Sequence, residues 1–156
     1  MHIRIIAVGK VKETWQKEGI SDLIRLLTPY TSITITEIPD QKFSSPGEKV
    51  RAIIREGEAL LTAAKEPAFL IVLDPAGREM GSESFSDLIR KREISGSGDL
   101  VFVIGGPDGL SEEVRAKSDL TLSLSQMTFT HTIARLLLLE QIYRAFRIIR
   151  GEPYHR

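Results

Sequence analysis

VFVIGGPDGLSEE, residues 101–113, is the stretch on which the fold turns. Its first four residues are wholly apolar, as in a short strand buried on both faces of a sheet. Gly105-Gly106 ends the run, Pro107-Asp108-Gly109 makes a turn, and Ser111 starts a short helix with acids in its first turn. Strand, tight turn, helix is the unit from which layered α/β domains are built.

The same unit recurs outward from this stretch. Residues 2–8 and the β-branched run 32–38 read as strands, with a helix at 12–27 whose Trp15, Ile20, Leu23, Leu26 and Leu27 are expected to face the core. Ser45-Pro46-Gly47-Glu48 carries a capping box with proline at the first helical position. Val50, Ile53, Ile54, Leu60, Leu61 and Ala64 follow at helical spacing. Strands are expected at 68–73, 100–104 and 120–124, and helices at 84–92 and 130–149. The alternation predicts a mostly parallel sheet flanked by helices, with residues 1–156 as a single domain.

The chain has 156 residues, no cysteine, and 21 basic against 21 acidic side chains. The absence of cysteine excludes disulfides and thiolate metal sites and fits a cytoplasmic protein. No apolar run is long enough to span a membrane. The balanced charge gives no bulk signature for nucleic acid, so any such contact must be local. Arg135, Arg144, Arg147, Arg150 and Arg156 stand near the C-terminus against Glu140 and Glu152, and on charge alone they read as a solvated face with pairs such as Glu140–Arg144. The helix at 134–149 is apolar nearly all round, which predicts a two-fold homodimer with this helix in the interface; a helix buried on both sides within one chain is the alternative.

In parallel sheets, ligands bind beyond the carboxyl ends of the strands. Three exits, at 74–77, 105–110 and 125–129, are therefore expected to share one pocket. The glycine loop is neither a P-loop nor a dinucleotide fingerprint, and Asp108, Glu112 and Glu113 would repel phosphate. A tight strand-to-helix turn is the commoner meaning of such glycines. A flat adenosine-containing ligand with a sulfonium, lying against the bare backbone, is the alternative. No metal is expected: His2, His131 and His155 are not paired at ligand spacing. His131 is expected to cap or pack. Gly151 and Pro153 end the last helix before Tyr154-His155-Arg156, whose stacking, proton-transfer and phosphate-binding groups could meet a splayed-out nucleotide.

FVIGGPDGLS at 102–111, LSLSQMTFTH at 122–131, ARLLLLEQIYRAFRIIRG at 134–151 and PYHR at 153–156 together resemble the ribosomal RNA large subunit methyltransferase H family of the SPOUT superfamily. The resemblance implies a C-terminal deep trefoil knot and a homodimer. It also implies transfer of a methyl group from S-adenosyl-L-methionine to N3 of a pseudouridine in 23S rRNA within the assembled ribosome, with no metal and no membrane. Cofactor-binding positions carry over to Leu73, Gly105, Leu124, Ser125, Gln126, Met127, Thr128 and Phe129. Tyr154, His155 and Arg156 are the expected catalytic residues, with His155 the candidate base. Thr130 stands where the family commonly has proline, so the loop before the last helix loses a fixed φ. A ribosome-associated binding factor without catalysis, and a nucleotide-binding regulatory domain, are the rivals.

Overall fold

The computed structural model describes residues 1–65, 69–96 and 99–153. Ten elements follow in order: β1 (His2–Val8), α1 (Thr14–Leu27), β2 (Ser32–Ile38), α2 (Pro46–Ala64), β3 (Phe69–Glu79), α3 (Ser82–Ser95), β4 (Leu100–Ile104), α4 (Glu112–Lys117), β5 (Leu120–Ser123) and α5 (His131–Ile149). The five strands form one sheet in the order β2-β1-β4-β3-β5, and every pairing is parallel. The expected α/β architecture is therefore present.

Strand alternation divides the core in two. Ile3, Ile5 and Ala7 of β1 point to a face covered by α1, α3 and α5, where Leu27, Phe85, Ile89, Leu138, Ile142 and Phe146 are buried. Ile6 and Val8 point to the other face, under Leu60 and Ala64 of α2 and Val114 of α4. All five residues of β4 are buried, as a central strand covered on both sides requires.

Several core expectations are corrected by helix phase. On α1 the inward line runs through Gln16, Ile20, Leu23, Ile24 and Leu27, which leaves Trp15 and Leu26 exposed on its flank. On α2 it runs through Ala52, Glu56, Gly57, Leu60 and Ala64, and Val50 and Ile54 face out. The 74–77 segment is not a simple exit loop. β3 continues through it to Glu79, with a register shift between Leu73 and Arg78, both opposite Leu122 of β5. β5 is an edge strand and ends at Ser123, and Ala68 lies outside the described residues.

The breadth of the apolar surface on α5 is accounted for within one chain. The helix packs against both α1 and α3 over the sheet, burying Ala134, Arg135, Leu138, Leu139, Ile142, Tyr143, Ala145 and Phe146. Arg135 is wholly buried, which overturns its reading as part of a solvated face. Glu140–Arg144 does form the expected pair, at 2.6 Å. Among the described residues no helix is long and apolar enough to cross a membrane.

Candidate functional site

The carboxyl ends of β4 and β5 and the register shift in β3 after Leu73 open into one cavity of about 640 Å³, floored by the start of α5. Leu73, Ile104, Leu124 and Phe129 give it apolar walls, and Gly105 to Leu110 form one rim. Its size suits a small-molecule ligand. Among the described residues, the lysine or arginine in the lining is Arg115, already paired. A polyphosphate would lack the counter-charges it needs.

Arg115 ties three walls together. Its Nε and one terminal nitrogen reach Asp74 Oδ2 at 2.9 and 2.7 Å, and the other terminal nitrogen donates to the Leu110 carbonyl at 2.7 Å. Asp74 also accepts from the Ala76 N–H at 2.8 Å. Burial alone would raise the Asp74 carboxyl; the Ala76 N–H and the Arg115 guanidinium outweigh it and hold it below the ordinary carboxylate range. Within the Gly105 to Leu110 rim, Asp108 pairs with Lys49 at 3.4 Å.

The first two glycines of the loop face close packing: Gly105 leaves no room for a side chain, and Gly106 leaves little. A Cβ on Gly105 would stand 2.8 Å from the Leu110 side chain, and one on Gly106 would stand 3.1 Å from Val8 and 3.5 Å from Glu56 Oε2. Both directions lead into the protein. Gly57 of α2 makes room for Ser111, whose Oγ would lie 2.3 Å from an added Cβ and which caps α4 by accepting from the Val114 N–H.

His131 is the first residue of α5, and its imidazole is packed on Gly9, where an added Cβ would lie 2.5 Å from Nε2. Packing was the expected role; the additional finding is that the ring also lines the cavity. Burial, then the nearby Arg135, lowers its pKa below 6.5, so it is neutral at neutral pH. The cap of α5 is Thr130, whose Oγ1 accepts from the Ile133 N–H at 3.4 Å. Thr132, held by Gln16 at 3.1 Å, adds a second tether. The segment without proline is thus anchored by side-chain hydroxyls.

Of the positions expected to bind a cofactor, Leu73, Gly105, Leu124, Ser125, Met127, Thr128 and Phe129 line this cavity. Gln126 turns to an adjoining depression with Glu79, Met80 and Gly81. Tyr154, His155 and Arg156 lie outside the described residues. Asp74 lines the cavity as part of the expected 74–77 segment, whereas Arg115 and His131 were missed as cavity residues.

The sequence model of the family described as "Predicted SPOUT methyltransferase" matches residues 1–155. The chain belongs to the SPOUT methyltransferases. It is 44% identical to the ribosomal RNA large subunit methyltransferase H of Carboxydothermus hydrogenoformans and 42% identical to that of Halothermothrix orenii, over the full length of both chains in each case. These matches place it in the ribosomal RNA large subunit methyltransferase H family. Among solved structures, a probable methyltransferase from Bordetella pertussis matches with a TM-score of 0.53 at 14% identity, over 92% of this chain and 95% of that one. A probable methylase family protein from Haemophilus influenzae matches at 0.55 and 13%, over 96% and 66%. At such identity the two structures speak for the fold alone. No group of three or more potential metal ligands occurs among the described residues.

Proposed function

We propose that this rRNA methyltransferase family member transfers a methyl group from S-adenosyl-L-methionine to N3 of a pseudouridine in 23S rRNA of the assembled ribosome. The observation that carries this is the convergence of the β3 register shift and the exits of β4 and β5 on one cavity. S-adenosyl-L-methionine supplies an electrophilic methyl group on a sulfonium. The apolar walls suit its adenine ring, and a lining whose charges are largely paired suits a ligand that carries charges of both signs. Leu73, Gly105, Leu124, Ser125, Met127, Thr128 and Phe129 would hold it, with Gln126 at the edge.

Pseudouridine N3 bears a proton that must leave as the methyl group arrives. His155 is the proposed base, Tyr154 the stacking or hydrogen-bonding group for the nucleobase, and Arg156 the group that offsets developing negative charge. Distance supports a homodimer here. α5 starts at the cavity and runs 19 residues, so its end lies about 27 Å away at 1.5 Å per residue. Three residues beyond Pro153 extend about 10 Å at most. The Pro153 carbonyl lies 3.4 Å from the Arg147 guanidinium, near that far end, which favours a tail that serves the cavity of a second subunit. The threaded, knotted C-terminus and the single-domain organisation belong to the same proposal.

The test is methylation of purified ribosomes, with the 23S rRNA product mapped by mass spectrometry. Wild-type protein should add one methyl group to a pseudouridine. Deleting Tyr154 to Arg156 should abolish this while calorimetry still finds S-adenosyl-L-methionine bound. An equally active truncated protein would remove the tail from the mechanism.

A further inference from the structure

The chain has no net charge, yet one surface departs sharply from balance. Between residues 41 and 55 stand Lys42, Lys49, Arg51 and Arg55, all exposed, against the single carboxylate of Glu48. Lys42, Arg51 and Arg55 share a shallow cleft of about 270 Å³ with Glu48 and Ala52. None of these three cations forms an ion pair among the described residues, although elsewhere arginines are routinely paired, as in Arg115–Asp74, Arg144–Glu140 and Arg150–Glu93.

Two details argue against a merely solvated face. Arg51 and Arg55 are i,i+4 neighbours on α2, a like-charge arrangement that weakens a helix. Glu48, the one acid in the cleft, is engaged by the Ser44 N–H and hydroxyl at 2.8 and 2.9 Å, which also lower its pKa. It stays ionised but is held at the helix start, in no ion pair with these side chains, so one negative charge stands against three positive ones in the cleft. The exposed apolar side chains Phe43, Val50 and Ile54 lie beside them.

The helix that carries Arg51 and Arg55 also reaches the cavity: its Lys49 pairs with Asp108 on the cavity rim. We propose that Lys42, Arg51 and Arg55 form a docking surface for the RNA phosphate backbone, which guides the substrate strand toward the methyl-donor cavity. This rests on the family's rRNA substrate class. The recognition is electrostatic and sequence-independent, because long cationic side chains over a shallow cleft contact phosphates and do not read base edges.

The test is a combined Lys42→Ala, Arg51→Ala, Arg55→Ala variant in steady-state methylation of ribosomes at several salt concentrations. KM for ribosomes should rise on the order of 10-fold, with kcat and the Kd for S-adenosyl-L-methionine unchanged. The slope of log affinity against log salt should flatten by about 2–3, roughly one unit per lost phosphate contact. The Arg51→Lys, Arg55→Lys variant should stay near wild type, since a point charge suffices for phosphate. An unchanged KM and slope would overturn the surface. A raised KM with an unchanged slope would overturn the RNA assignment and point to a ribosomal protein instead. If the alanine variant loses donor binding, Arg51→Gln, Arg55→Gln carries the same test with a slope change near two. Wild-type protein that neither methylates nor binds ribosomes would sink the functional reading along with the surface.

Discussion

Arg115 and Asp74 meet through two nitrogens on one carboxylate oxygen, Oδ2, at 2.9 and 2.7 Å, while the third guanidinium nitrogen holds the Leu110 carbonyl at 2.7 Å. The pair fastens the register shift in β3 to the end of the glycine loop. Arg115→Ala removes both links and leaves a mostly buried Asp74 carboxylate with only the Ala76 N–H. Charged hydrogen bonds contribute about 1.5–3 kcal/mol, but the Arg115 side chain is 34% exposed, so a loss of about 1–2 kcal/mol is expected. Donor affinity should fall about tenfold. Arg115→Lys should recover stability better than affinity, because an ammonium cannot bridge the same three points. Denaturant melts and calorimetry on both variants check this; equal donor affinity in all three proteins would show that the clamp does not shape the cavity.

Gly9 carries a second constraint. Its φ of +90° is strained for any residue with a Cβ, and that Cβ would lie 2.5 Å from His131 Nε2. Gly9→Ala should cost about 2–4 kcal/mol from backbone strain and overpacking together. Part of this is steric, so shortening the histidine should return it. In a double-mutant cycle, Gly9→Ala with His131→Ala should be more stable than the sum of the single changes allows. Strict additivity in thermal melts would mean that the ring moves aside freely.

The parallel sheet and the three segments that line the cavity were legible because alternating apolar runs and glycine turns are local signals, although the first of them is a register shift inside β3 and not an exit. Helix phase was less so. Trp15 and Val50 sit in apolar patterns that admit two inward lines, and only packing chooses between them. Arg135 was the least legible. It is wholly buried, donates to the carbonyls of Val8 and Gly9, and approaches Glu37 at 3.8 Å, partners about a hundred residues away in sequence. An arginine in a C-terminal basic run gives no local sign of such a place. The glycine loop was found for a partly mistaken reason, since its missing side chains make room for Leu110 and Val8.

Glu56 gives the clearest pH signature. It lies in the middle of α2, is only 8% exposed, and its Oε2 has no hydrogen-bond partner among the described residues. Burial first, then the charges of Asp40 and Asp108, raise its pKa above 4.5, while an N–H from Gln41 partly opposes the rise. The unfolded chain releases this proton near 4.5 and the folded chain holds it to higher pH. Between those values the native state binds more protons, so stability falls as pH rises and the deficit is complete above the folded pKa. Glu56→Gln keeps an oxygen for the Gln41 N–H and removes the charge. Its melting temperature should exceed that of wild type at pH 7, by about 2–4 °C for each kcal/mol recovered in a chain of this size. The gap should close as the pH approaches 4.5. A gap that is constant across this range, or a variant less stable at pH 7, would mean that the carboxylate is stabilised in place and that its ionised form is the one the fold prefers.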